Sequence, residues 1–215
     1  MSKRSVAHVV GDSSDTTAGT SVAARLAFIL SAVMTPAAVA TAAMAVVTWW
    51  SESGWRALVH FGVMFLTGTV FGMGLSYVRA RRKGLADIHI HERRDRPGFF
   101  ALCVVAAAVG LGVLALMGTA TVLLVFMGAY AVCLGVIALT SLVAKPSVHC
   151  ATMTAFTGAL LVVEPRTVPF AAVGLAALVW ARLYRKRHTP AECAFGIVIG
   201  AAIVAAAYLV WRSLS

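Results

Sequence analysis

Charge is what this chain has least of, and acid least of all: 8 Asp and Glu stand against 18 Lys and Arg in 215 residues, and only 12% of the chain is charged. With 60% hydrophobic residues and a mean hydropathy of +0.89, too little polarity remains to cover a soluble domain of this length. The composition is that of an integral membrane protein. No paired-aspartate motif is present to hold magnesium, as prenyltransferases and ionising terpene synthases generally require. The four cysteines, Cys103, Cys133, Cys150 and Cys193, lack CxxC spacing, which argues against a zinc or dithiol centre and for small apolar residues packed between helices. No repeat of fixed period and no nucleic-acid-binding motif occurs, so the net charge of +10 points to anionic lipid headgroups rather than to nucleic acid. The first two dozen residues are polar, rich in Ser, Thr, Gly and Ala, and lack the apolar stretch of a secretory signal.

What is present is a series of uncharged runs, at 26–51, 57–78, 97–144, 146–163, 167–181 and 193–211. A helix needs roughly 20 apolar residues to cross a bilayer, so the run 97–144 is long enough for two spans, divided by a turn near Gly118-Thr119. The expectation is an all-α polytopic transmembrane bundle of six or seven spans, at about 25–50, 56–79, 98–117, 120–144, 147–163, 167–185 and 190–211. Residues 1–24 are read as a disordered tail and 25–215 as one membrane-embedded domain. Pro36 is expected to kink the first span. The sixth is the least regular, because Arg182, Arg185 and Lys186 fall in its last turns and must snorkel or face a polar cavity.

Three short polar clusters sit between these runs: HIHERRDRP at 89–97, PSVH at 146–149 and RLYRKRHTPAE at 182–192. Neighbouring clusters are separated by two spans, so alternating spans bring the tail and all three clusters to one side of the membrane. Fifteen of the 18 Lys and Arg fall on that side, leaving only Arg56, Arg166 and Arg212 opposite, and by the positive-inside rule the clusters are expected to be cytoplasmic. Trp49, Trp50, Trp55 and Trp211 gather at the other interface, as an aromatic belt does.

Cations, histidines and a carboxylate at one surface are the parts of a phosphate-cleaving site: a nucleophile, an acid for the leaving oxygen, and fixed positive charge for the phosphoryl oxygens. The spacing of the clusters resembles that of the type 2 phosphatidic acid phosphatase superfamily, whose motifs are Lys-x6-Arg-Pro, Pro-Ser-Gly-His and Ser-Arg-x5-His-x3-Asp. The third is matched by Arg182, His188 and Glu192, the second by Pro146-Ser147-Val148-His149, and the first by Arg96-Pro97 with His89 at the lysine position. The resemblance covers about half of the chain, 89–192. It implies that His188 is the nucleophile that becomes a phosphohistidine, that Glu192 orients its ring, and that His149 protonates the leaving alkoxide. His89, Arg96, Ser147 and Arg182 would hold the phosphate, with no metal or cofactor.

Four positions depart from the motifs: His89 for Lys, Val148 for Gly, Ala181 for Ser and Glu192 for Asp. A histidine is cationic only part of the time, so His89 weakens phosphate binding at neutral pH unless Arg93 or Arg94 substitutes. Val148 narrows the pocket and excludes positive φ, although its backbone N–H can still donate. Glu192 carries its carboxylate on a longer arm. Other readings stay open: Thr189-Pro190-Ala191-Glu192 is also a capping box, which would leave Glu192 only a cap. Arg79–Lys83 and Arg185–Arg187 read as lipid-contacting charges, His60 as a residue packed between helices, and His89 with His91 as a weak metal pair.

The leading expectation is therefore an integral membrane hydrolase acting on a lipid-linked phosphate, of phosphatidate, prenyl phosphate or diphosphate, or polyprenyl phosphosugar type. Its partners are that substrate and membrane lipids. The alternatives are a lipid or anion transporter, a non-catalytic scaffold, or a prenyl-diphosphate-processing enzyme. The carrier reading loses ground because no acidic residue interrupts the uncharged runs, where ion-coupled carriers usually place one.

Overall fold

The computed structural model describes residues 21–83 and 95–214, and among these it is helical throughout, with no strand. The chain runs α1 (Val22–Val33), α2 (Pro36–Ser51), α3 (Gly54–Met64), a π-helical segment (Phe65–Val70) continuing into α4 (Phe71–Lys83), then α5 (Arg96–Leu116), α6 (Thr121–Thr140), α7 (Val148–Val163), a 3₁₀ turn (Pro165–Thr167), α8 (Val168–Tyr184) and α9 (Pro190–Leu214). Among the described residues, five continuous helical stretches are long and apolar enough to cross a membrane: 54–82, α5, α6, 165–184 and α9. The pair α1–α2 makes a sixth, bent by 52°, while α7 is apolar but has only 16 residues. This is a polytopic helical bundle. The expected tail lies outside the described residues except for its last few positions.

Local sequence accounts for the breaks. Thr35 precedes a proline and is held extended at ψ 153°, and its hydroxyl accepts from the Ala38 N–H at 3.2 Å. The first span therefore bends at Met34–Thr35, one residue before the proline. Between α5 and α6, Gly118 has φ +64°, a conformation that costs a side chain but not glycine, and the long run 97–144 folds back there. The π-helical segment had no expected counterpart. Its Gly68 carbonyl accepts from the Tyr130 hydroxyl of α6 at 2.9 Å, so its looser turn is tied to a neighbouring helix.

The two ends of the bundle are defined by contacts between distant segments. At one end, Ser21 meets Tyr184 at 3.3 Å, Arg79 pairs with Asp95, Arg96 donates to the Pro146 carbonyl, and the Ser147 N–H donates to the Glu192 carbonyl. At the other, Trp50 lies 6.5 Å edge-on to Trp211, and Glu52 accepts from the Ala120 N–H. The described parts of the three polar clusters thus share one end, Trp50 and Trp211 take the other, and Trp180 packs on Tyr184 at the polar end. Arg79, expected to contact lipid, instead ties the end of α4 to the start of α5.

The core is built from methionine, leucine and alanine, with Met44, Met64, Leu114, Leu123 and Met127 fully buried. All four cysteines are buried and free, as expected of packing residues. α7 and α9 run side by side from the polar end, where a Cβ at Gly196 would collide with the Ser147 carbonyl and one at Gly200 with the Ala151 carbonyl. Glycine at these two positions lets the helix starts converge.

Candidate active site

The turn between α8 and α9 places His188. α8 ends in a Schellman motif, in which the Arg187 N–H donates to the Arg182 carbonyl and the Lys186 N–H to the Leu183 carbonyl. Lys186 occupies the left-handed position of that motif with φ 50°, where glycine is usual. The chain is thereby turned back, and Thr189 starts α9. The Glu192 N–H donates to the Thr189 hydroxyl at 3.2 Å, and Glu192 Oε2 accepts from the Thr189 N–H at 3.1 Å, a reciprocal capping box.

The same Oε2 lies 2.9 Å from Nδ1 of His188. Capping and orienting, which the sequence left as alternatives, are carried by one carboxylate oxygen. Burial pushes the His188 imidazole down to about 4, against the Glu192 hydrogen bond, which pulls it up; Arg182 and Lys145 add to the fall. At neutral pH the ring is uncharged. With a carboxylate at Nδ1, the single ring proton sits there, and Nε2 keeps its lone pair.

The other site residues come from the starts of α5 and α7. Arg96 is the first residue of α5 and only 4% exposed, and its Nη2 donates to the Pro146 carbonyl at 3.1 Å. Its guanidinium lies 5.7 Å from the Phe100 ring, and Glu192 is near enough for its charge to act on it. Ser147 is buried and caps α7, its hydroxyl oxygen accepting from the Cys150 N–H at 3.4 Å. That leaves the hydroxyl proton to give. Val148 is the first residue of α7, inside the helix, and its side chain therefore costs no backbone strain. His149 follows in the same turn, 6% exposed.

Two cations carry unused donors. Nη1 of Arg96 and Nε of Arg182 are both buried without a hydrogen-bond partner among the described residues. A buried guanidinium nitrogen without a partner is costly, and an anion is what relieves it. The starts of α5, α7 and α9 meet at this end, adding the positive ends of three helix dipoles.

The structure also adds Lys145, a residue the motifs did not single out. It lines one depression with His188, Glu192, Lys186 and Arg187, and its charge acts on both His188 and Glu192. The only signal in the sequence is a lone cation immediately before Pro146. His89, Arg93 and Arg94 lie outside the described residues. Among the described residues no group of three His, Cys, Asp or Glu is placed to hold a metal.

No family model matches the chain, and no curated protein and no solved structure matches it either. The resemblance therefore rests on the three motifs alone.

Proposed function

We propose that this protein is a membrane hydrolase that cleaves a lipid-linked phosphate ester through a phosphohistidine on His188. The observation that carries the reading is the His188–Glu192 pair at 2.9 Å, with a neutral imidazole at the end of the bundle where buried nitrogens of Arg96 and Arg182 have donors to spare. The lone pair of Nε2 attacks phosphorus, and the bond from phosphorus to the alkyl oxygen breaks as His149 passes its proton to that oxygen. Arg96 and Arg182 neutralise the phosphoryl oxygens, and Glu192 stabilises the positive ring that forms. His149, now neutral, takes a proton from water; the resulting hydroxide attacks phosphorus, the P–N bond breaks, and inorganic phosphate leaves. The arginines supply the charge that a metal supplies elsewhere.

The excess of cations at the polar end favours a cytoplasmic site, and hence a biosynthetic intermediate made inside the cell. The test is phosphate release by detergent-purified protein from a panel of lipid phosphates with EDTA present. Wild type is expected to release phosphate, and His188→Ala to lose that activity by at least about 10³-fold. Release that survives in the variant would refute the mechanism, and no release from any lipid by folded protein would return weight to the transporter and scaffold readings.

A further inference from the structure

Below the polar end, α6 packs on α5, α9 and α2, while α7 packs on α9, α2 and α8. The gap left between α6 and α7 is a cleft of about 120 Å³, lined on α6 by residues from Val122 to Cys133, on α7 by Thr152 to Val163, and on α9 by Ile203 to Trp211. Its lining is almost wholly apolar. The Tyr130 hydroxyl donates to the Gly68 carbonyl and the Thr152 hydroxyl to the Val148 carbonyl, so two polar groups that could have greeted a polar guest are spent on backbone. The cleft is open along one side, so a chain lying in it is only partly enclosed, and its apolar walls favour hydrocarbon over water.

Its position relative to His149 decides what that hydrocarbon belongs to. Thr152, Ala155, Ala159 and Val163 line the cleft and follow His149 at steps of three and four residues, which places them down one face of α7. The group that gives a proton to the leaving oxygen thus heads the stripe that forms the cleft wall. From His149 to Val163 is about 21 Å along the helix, at 1.5 Å per residue, enough to accommodate a long chain.

We infer that the α6–α7 cleft binds the hydrocarbon chain of the leaving alcohol, which selects lipids carrying a long single chain on the scissile oxygen. The inference rests on the reading of the polar end as a phosphate-ester site. Chain enters on the His149 face, and the phosphate stays with Arg96 and Arg182.

A hexadecyl phosphate analogue with a diazirine near the chain end, photolysed with the intact protein in detergent, tests this by position of labelling. Label is expected on 152–163 or 122–133, displaced at least tenfold more effectively by hexadecyl phosphate than by hexadecanol. Ala159→Trp, which fills the cleft, is expected to lose that label and to lower the preference for hexadecyl over butyl phosphate by tenfold or more. Label elsewhere, or equal displacement by the alcohol, overturns the inference, since the cleft would then hold ordinary bilayer lipid. Phosphate-dependent label in the cleft without turnover would leave this binding site standing and defeat only the hydrolase reading.

Discussion

The bundle has a polar group at each end, and the two are built on opposite principles. At the tryptophan end, Glu52 accepts from the Ala120 N–H at 3.2 Å and from Arg56 at 3.3 Å. Arg56 donates to the Gly118 carbonyl, and Thr119 donates to the Leu114 carbonyl while lying 3.4 Å from His60. Charges of opposite sign face each other across two tight turns, and Nδ1 of the buried His60, which forms no hydrogen bond among the described residues, lies 3.3 Å from Glu52 Oε1. The histidine there is a staple between helices. At the other end cations outnumber acids among the described residues, buried nitrogens of Arg96 and Arg182 keep donors unspent, and of the two carboxylates described there Asp95 pairs with Arg79 while Glu192 is committed to a cap and to His188. Both ends contain His, Arg and Glu. Only the second is left incomplete in a way that an anion completes.

The largest effect that would break this contrast is at Arg96. Replacing it with leucine removes the charge and the bond to the Pro146 carbonyl together, and the expected loss in kcat/KM on a lipid phosphate is about 10²- to 10³-fold. Inorganic phosphate should also lose its protection of the protein against thermal unfolding. Retained activity would mean that the unspent donor is not a phosphate ligand.

Glu192→Gln separates the two duties of one carboxylate. Glutamine keeps a capping box, so the melting temperature should hold, while the neutral amide no longer stabilises a positive ring and turnover should fall about 10- to 100-fold. Because burial holds His188 at about 4, the wild-type acid limit set by this group belongs near pH 4, with activity rising as pH rises through it. Removing the carboxylate deletes the contribution that pulled the ring up, so that limit should move to lower pH. A fall in stability with unchanged turnover would make Glu192 a cap alone.

At the opposite end the expectation inverts. Glu52→Ala leaves the Ala120 N–H and Arg56 without their acceptor and should cost about 1.5–3 kcal/mol of stability, read by thermal unfolding, with turnover per folded molecule preserved. Burial raises the Glu52 carboxyl, but the Ala120 N–H and Arg56 outweigh it, so its folded value lies below 4.5. This contribution is therefore present above pH 4.5 and is lost as pH falls through the lowered value. The smallest effect is at Lys186, whose left-handed backbone costs about 1 kcal/mol relative to glycine. Lys186→Gly should raise stability by that amount, with at most a slight weakening of phosphate binding from the lost cation.

How much of this was legible beforehand follows from the range of each interaction. The Thr189–Glu192 capping box and the break at Thr35-Pro36 are written in residues three or four positions apart, and so is the His188–Glu192 pair. Local spacing carries such features. The place of Lys145 beside His188 depends on residues more than forty positions apart, and the bond from Arg96 to Pro146 spans fifty. No short pattern encodes those. The π-helical segment was equally invisible, because its partner Tyr130 is 62 residues away.

Composition and the spacing of charges, by themselves, determined that the chain is a membrane-embedded helical bundle with its polar clusters at one end. Apolar runs must cross a bilayer, and charge must stay at its edges. Only the tertiary structure decided which cations are buried with donors to spare, which acid serves His188 and which serves a staple, and that α6 and α7 part to leave a cleft below His149. Those outcomes depend on how the helices rotate and how closely they approach. Glycines such as Gly196 and Gly200 set that approach through the neighbours they meet, and the neighbours are not adjacent in sequence.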